Sequence, residues 1–305
     1  MSSFLSLVKK PEIAKKITSI ALGKFDGFHI AHQKLFEALD EEGAILCIEA
    51  DSGELLPKKY RDFYAPKPLY HLPLRIVKNK SDREFVDFLL KILPCLKKII
   101  VGYDFRFGKN RHYYPFDLKK HFKGEVCVIK EVFCDNLSVH SGLIKELLQN
   151  GNVKEASKLL GRNFEIWGSI IKGQGIGRKQ CYATLNLSVK DFIIPQEGVY
   201  AGFIQLGSQK KINSRYPAVI FVGNRLSTDK SFAIEGHLLG LEIEIKHKKA
   251  GFYFVQKIRD NAYFSSLVHL KKQISKDIEK AYKILKINPK QVNPQTANPK
   301  RSDNG

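Results

Sequence analysis

Thr18-Ser-Ile-Ala-Leu-Gly23 is a short apolar run ending in glycine, and it continues directly into Lys24-Phe-Asp-Gly-Phe-His-Ile-Ala-His32. Behind that turn, the apolar residues between Gln33 and Leu39 recur at helical spacing, so the stretch reads as strand, loop and helix. His29 and His32 are three residues apart and therefore neighbours on one face at the start of that helix, where free backbone N–H groups also favour anions. Two imidazole donors at a helix terminus suit the stabilisation of charge growing on a phosphate under attack. Taken alone, the same residues also describe a strand–turn–helix with two exposed histidines.

Outward from this segment the alternation continues. Ala44 to Ile48 is a second apolar run, Glu84 to Leu93 is helical, Ile99 to Val101 is a third strand, and Val126 to Ile129 precedes a helix from Ser141 to Leu148. Strands alternating with helices predict a Rossmann-like α/β domain with a parallel sheet covered on both faces and its ligand at the carboxyl ends of the strands.

Near Gly161 the pattern changes. Phe164 to Ile171, Val199 to Leu206, Ala218 to Val222, Phe232 to Leu239, Leu241 to Lys246 and Phe252 to Ile258 are short strand-like runs separated by turn residues. Such a series favours a sandwich or a closed barrel, and of the two a small antiparallel β-barrel with a terminal helix is expected. From Ser265 to Leu285 the apolar residues Leu267, Leu270, Ile274, Ile278, Ala281 and Leu285 mark an amphipathic helix expected to lie on that β domain. The expected division is therefore 1–160, 161–287 and a disordered basic tail, 288–305.

The 305 residues hold 51 Lys and Arg against 31 Asp and Glu, a formal charge of +20. This balance attracts polyanions, nucleotides among them, and meets the first test for a nucleic-acid-binding protein. The chain lacks a recognisable reader module, which sets nucleic acid behind other partners. Cys47, Cys95, Cys127, Cys134 and Cys181 lie far apart without zinc or disulfide spacing and read as reduced core thiols. Neither a signal-peptide core nor a membrane-length apolar run is present, so a cytoplasmic location is expected.

The run from Gly23 to His32 resembles the Gly-Asn-Phe-Asp-Gly-Val-His-x-Gly-His signature of the prokaryotic bifunctional riboflavin kinase/FAD synthetases, with Lys24 in place of Asn and Ala31 in place of Gly. The resemblance implies that His29 and His32 bind the ATP phosphates during adenylyl transfer to FMN, with Gly23, Phe25 and Asp26 in the same nucleotide site. Gly102-Tyr-Asp-Phe-Arg-Phe-Gly-Lys109 is similar to the family segment at the edge of that site, which implicates Asp104 and Arg106. His140-Ser-Gly-Leu-Ile-Lys145 corresponds to Ser-Ser-Thr-x-Ile-Arg, keeping Ser141 and a positive charge at Lys145. The stretch from Asp51 to Lys80 lacks the family's Thr-Phe-x-Pro-His-Pro element.

In the second half, Leu160-Gly-Arg-Asn-Phe164 looks like the hinge opening the family's riboflavin kinase domain. Gly173, Gly175, Gly177, Arg178 and Lys179 form a glycine-rich basic loop suited to cradling phosphates. Ala183-Thr-Leu-Asn186 stands where the family has Pro-Thr-Ala-Asn, which implies that Thr184 and Asn186 hold Mg2+ and the ATP phosphates. Pro195-x-x-Gly-Val-Tyr-Ala201 matches a family strand, and Ile234-Glu-Gly-His-Leu-Leu239 resembles Val-Glu-x-His-Leu-Leu, making Glu235 the implied general base toward riboflavin. Arg259 is left open between a structural role and one bordering the flavin. The implied activity is two-step: riboflavin to FMN, then FMN to FAD, both from ATP. The alternatives are a monofunctional riboflavin kinase with a degenerate N-terminal domain and a basic nucleic-acid-binding protein.

Overall fold

A computed structural model describes residues 2–3, 7, 9–49, 54–171, 184–209, 215–227, 229–240 and 247–289. The chain packs as two compact units, Met1–Ser141 and Gly142–Gly305.

In the first unit, β1 (Ser2–Ser3), β2 (Ser19–Gly23), β3 (Gly43–Glu49), β4 (Leu69–Pro73), β5 (Lys98–Gly102) and β6 (Glu125–Ile129) form one sheet in the order β1-β4-β3-β2-β5-β6. Every neighbouring pair runs parallel. Ile20, Leu22, Ala44, Leu46, Ile99 and Val101 feed one buried cluster, while Ala21, Ile45, Cys47 and Ile100 feed another. The strands are thus buried on both faces, as parallel sheets require. The first cluster includes Phe85, Val86 and Leu89 of a helix spanning Asp82–Ile92, which Ser81 and Glu84 start with a reciprocal capping box. β4 is an element the sequence reading passed over: prolines at 66, 68 and 73 bound it closely, and proline argues against a central strand.

After a short antiparallel pair, β7 (Phe133–Cys134) and β8 (Leu137–Ser138), the second unit is a closed barrel of β9 (Phe164–Ile171), β10 (Leu185–Val189), β11 (Gly198–Leu206), β12 (Arg215–Asn224), β13 (Phe232–Leu238) and β14 (Lys249–Arg259), in the order β10-β13-β12-β11-β14-β9. All its ladders are antiparallel, and pairing of β9 with β10 closes the ring. Closure bears out the expected barrel over the sandwich that the strand spacing also allowed. A Cβ on Gly236 would meet Ile204 and Phe252 within 3 Å, so its side faces the packed barrel interior and the alternate residue Glu235 faces outward. The run from Leu241 to Lys246 lies outside the described residues.

Two helices precede the barrel strands in this unit, at Ser141–Gln149 and Val153–Leu160, and the latter ends in a left-handed Gly161. Strand periodicity begins only after Gly161, whereas the division by packing comes before both helices.

The terminal helix spans Leu267–Leu285 and starts at Ser266, whose hydroxyl accepts the His269 N–H. Its Ala281, Ile278 and Tyr282 pack against Val199, Ala201, Val219 and Phe221 on the barrel's outer face. Arg259 Nε donates to Asp277 Oδ1 and Oδ2 at 3.1 and 2.9 Å, and Gln273 adds a bond to the same carboxylate. Asp277 is buried, so Arg259 ties the helix to β14 and has a structural task.

Removing one partner of a buried pair leaves the other charge uncompensated. Arg259→Met is expected to destabilise the barrel unit by about 3 kcal/mol, read as a lowered midpoint in urea unfolding. A second expectation concerns His71 on β4, which is buried, with Nδ1 2.9 Å from Glu49 Oε1. Burial lowers its pKa to about 4. The folded imidazole therefore resists the proton that the unfolded chain accepts near pH 6.5, so stability is retained above that pH and lost as pH falls from there toward 4. Unfolding midpoints measured across that window are expected to fall less steeply on acidification in His71→Leu than in the wild type.

Candidate active sites

The chain passes from β2 to β3 and β4 on one side, then returns to lay β5 and β6 on the other. The carboxyl ends of β2 and β5 therefore form the switch point where an open parallel sheet leaves a crevice for ligand. Gly23 to His32 leaves the first of these ends and Gly102 to Gly108 the second.

The turn after β2 is sharply folded, with positive φ at Phe25 (50°), Gly27 (90°) and Phe28 (49°). Phe25 and Phe28 drop into the core beside Phe36, which stabilises a backbone that bulky residues rarely adopt. His29 caps the helix Ile30–Glu37, and its ring stacks on His32 with centroids 3.5 Å apart. The edge of His32 meets Phe25 at 5.2 Å. The spacing argument thus brings the histidines together, but His29 is buried and His32 half-buried rather than both exposed.

Asp26 is turned into the protein, where Oδ1 accepts the Leu55 N–H at 2.9 Å and the Leu56 N–H at 3.4 Å. Arg61, itself buried, donates to Leu56 O at 2.9 Å, Cys47 Sγ at 2.9 Å and Lys24 O at 3.4 Å, and pairs with Glu54 at 2.7 Å. Cys47 Sγ donates to Lys24 O at 3.0 Å. Burial pushes the Cys47 thiol up to about 11, which keeps it neutral and a donor. The segment from Glu54 to Arg61 thereby clamps the histidine loop through Asp26 and the Lys24 carbonyl. No motif or periodicity in residue order marks Arg61 or Glu54.

On the other side of the crevice, Asp104 is exposed, and Arg106 lies flat over the Tyr114 ring at 3.3 Å. Phe107 pairs with Tyr113 through the backbone, and Gly108 turns at φ +69° against Lys80 O, where a Cβ would be 2.4 Å away. Ser141 opens its helix and the half-buried Lys145 follows one turn later on the same face.

In the barrel, Asn186 of β10 and Glu235 of β13 are direct cross-strand partners. Side chains opposite each other share a face, so the amide and the carboxylate meet on the outside of the barrel. Arg225, just past β12, spans both: Nε donates to Glu235 Oε1 at 2.7 Å and Nη2 to Asn186 Oδ1 at 2.8 Å. The resemblance implied roles for Glu235 and Asn186 but none for Arg225, and a cation in a turn between strands reads as solvated. Thr184 is exposed, two residues before Asn186. Gly173, Gly175, Gly177, Arg178 and Lys179 lie outside the described residues. Among the described residues no cluster of His, Cys, Asp and Glu suits a metal ion, and no helix is long and apolar enough to cross a membrane.

The riboflavin kinase family model matches residues 160–285. The chain is similar to the bifunctional riboflavin kinase/FMN adenylyltransferase of Buchnera aphidicola subsp. Acyrthosiphon pisum, with 32% identity over 85% of this chain and 90% of that one. The protein of the same name in Escherichia coli K12 is 27% identical over 85% and 90% of the two chains. A crystal structure described as a macrolide-efflux protein from Streptococcus pneumoniae covers 87% of this chain and 93% of its own at 26% identity and TM-score 0.75, a likeness of fold. With the switch-point histidines and the closed barrel in their expected order, this identity over nearly the whole chain makes it a member of the bifunctional riboflavin kinase/FMN adenylyltransferase family.

Proposed function

We propose that residues 161–287 transfer the γ-phosphate of ATP to riboflavin, and that residues 1–160 then transfer the adenylyl group of a second ATP to the FMN formed. The observation that carries this reading is the meeting of Asn186 and Glu235 across β10 and β13, within the segment matched by the riboflavin kinase model.

In the first step the riboflavin 5′-hydroxyl oxygen attacks the γ-phosphorus, the bond to the β-bridging oxygen breaks, and ADP leaves. Glu235 takes the hydroxyl proton. A carboxylate suffices because such transfers depend mostly on positioning and on electrostatic stabilisation of a loose transition state. Thr184 brings an oxygen donor of the type a hard cation takes, whereas the Asn186 amide oxygen is engaged by Arg225. Mg2+ held near Thr184 and the phosphates would supply neutralisation of their charge. The amide of Asn186 and the basic loop of Gly173, Gly175, Gly177, Arg178 and Lys179 complete the phosphate contacts.

In the second step an ionised FMN phosphate oxygen attacks the α-phosphorus and pyrophosphate leaves. The nucleophile already carries its charge, so no general base is needed, and the N-terminal site calls instead for donors to the phosphates. His29 and His32 serve as those donors at the helix start, and Lys145, with Ser141 beside it, adds charge. Gly23 leaves room at the end of β2 for the Phe25 ring, 3.0 Å from where a Cβ would lie, and Asp104 and Arg106 border the site. Phe25 and Asp26 act by holding the histidine loop. A cytoplasmic location accords with this use of ATP.

Purified protein incubated with riboflavin, ATP and magnesium, with flavins separated by chromatography, tests both steps. Wild type is expected to form FMN and FAD. Glu235→Ala is expected to lose roughly a hundredfold or more of FMN formation from riboflavin while retaining FAD formation from supplied FMN. The double variant His29→Ala, His32→Ala is expected to show the reverse, with FAD formation reduced roughly a hundredfold. Wild type that stops at FMN despite abundant ATP would restrict the reading to the kinase half.

A further inference from the structure

Arg225 sits in the connection between β12 and β13, where its guanidinium donates to Glu235, Asn186 and Ser231 and lies 3.8 Å from Asp229 Oδ2. Nε reaches Glu235 Oε1 at 2.7 Å, Nη2 reaches Asn186 Oδ1 at 2.8 Å, and Nη1 reaches Ser231 Oγ at 2.6 Å. The connection itself is braced. Arg225 N–H donates to Ser231 O at 3.0 Å, and Ser231 Oγ passes its own hydrogen to Asp229 Oδ2 at 2.7 Å. Just before it, Asn224 is gripped by Glu197, with Nδ2 to Oε1 at 2.9 Å. Gly223 at φ +141° permits that approach, since a Cβ there would lie 2.7 Å from Glu197 Oε2. The Arg225 and Glu235 side chains each keep about a fifth of their exposure, 19%, so they stand at a surface that a substrate can reach.

A guanidinium has donors only and never gives up its proton in a protein, so it neither accepts nor delivers the proton of the transfer. Its planar fork does something else. By engaging Asn186 through Oδ1 it fixes which way that amide points, leaving the Nδ2 hydrogens as what Asn186 offers a phosphate oxygen. By engaging Glu235 through Oε1 it holds the carboxylate and assigns Oε2 to the hydroxyl proton. A lysine, a single point charge on a flexible stem, cannot span both partners in this way.

We propose that Arg225 is the positioning residue of the phosphorylation site, aligning Glu235 and Asn186 with one guanidinium. The proposal rests on the kinase reading of Glu235 given above. Misplacement of a catalytic group by about 1 Å costs on the order of a hundredfold, with little effect on ground-state binding when the group acts only in the transition state. The full-length chain is assayed for FMN formation from riboflavin and, separately, for FAD formation from supplied FMN. Arg225→Ala is expected to lower kcat for FMN formation about tenfold to a hundredfold with the KM for riboflavin within about twofold. FAD formation from FMN is expected to be unchanged in the same preparation. Arg225→Lys, which keeps the charge and most of the volume, is expected to remain about tenfold down, and guanidinium ion added to Arg225→Ala to restore part of the lost rate.

Adding Arg225→Ala to Glu235→Gln is expected to cost clearly less than the product of the two single losses, because the part of its effect that acts through Glu235 has nothing left to align and only the part through Asn186 remains. Wild-type kcat in Arg225→Ala or Arg225→Lys overturns the proposal. So do losses that multiply in the double variant, which would make Arg225 an independent phosphate ligand. Glu235→Gln at the wild-type rate would instead overturn the reading of Glu235 itself, an outcome distinct from a silent Arg225.

Discussion

The ladder between β10 and β13 holds Asn186 opposite Glu235, and slipping it by one residue would turn one of the pair to the opposite face of the barrel. Three features resist that slip. Gly236 fills a place beside Ile204 and Phe252 where no side chain fits, so its neighbours must face outward. Pairing of β9 with β10 closes the ring and removes the free edge along which a strand could shift. On the same outer face, Phe221 is the register partner of Glu235 and packs against the cluster that docks the terminal helix. The polar pair therefore inherits its position from apolar packing on both sides of the barrel wall.

The N-terminal unit solves a different problem, the support of a loop that carries three positive φ values within four residues. Apolar burial of Phe25 and Phe28 supplies part of that support, and the remainder comes from polar contacts that are themselves buried. Arg61 is taken out of water but pairs with Glu54 and donates to two backbone carbonyls and a sulfur. A buried charge is tolerated under those conditions and not without them. Cys47, kept protonated, bonds the same Lys24 carbonyl. The assembly holds the histidine loop from the side of β3 and the segment that follows it.

Both sites use the same economy of parts. A strand end or strand face sets the coarse position of the reacting side chains, and a single arginine drawn from a distant segment fixes the detail, Arg61 behind the histidine loop and Arg225 beside Glu235. Arginine suits that task because its rigid fork reaches several acceptors while its charge persists at any working pH.

What could be read from residue order was whatever repeats locally. The two- and three-to-four-residue periods identified most of the strands and the terminal helix, and the change of period after Gly161 separated the parallel sheet from the β domain. The spacing of His29 and His32 foretold their contact, since three residues of helix bring side chains together whatever surrounds them. β4 escaped because prolines masked its pattern, and β10, no shorter than β2, because polar residues interrupt its apolar ones. The closure of the barrel, the outward face of Glu235 and its meeting with Asn186 depend on which strands pair, a choice made by packing far along the chain. So too do the places of Arg61, Arg225 and Arg259. A charged residue in a short helix, a turn or at a strand end looks solvated in sequence, and only the tertiary structure, by bringing a carboxylate, an amide or a carbonyl within reach, gives it a partner and a task.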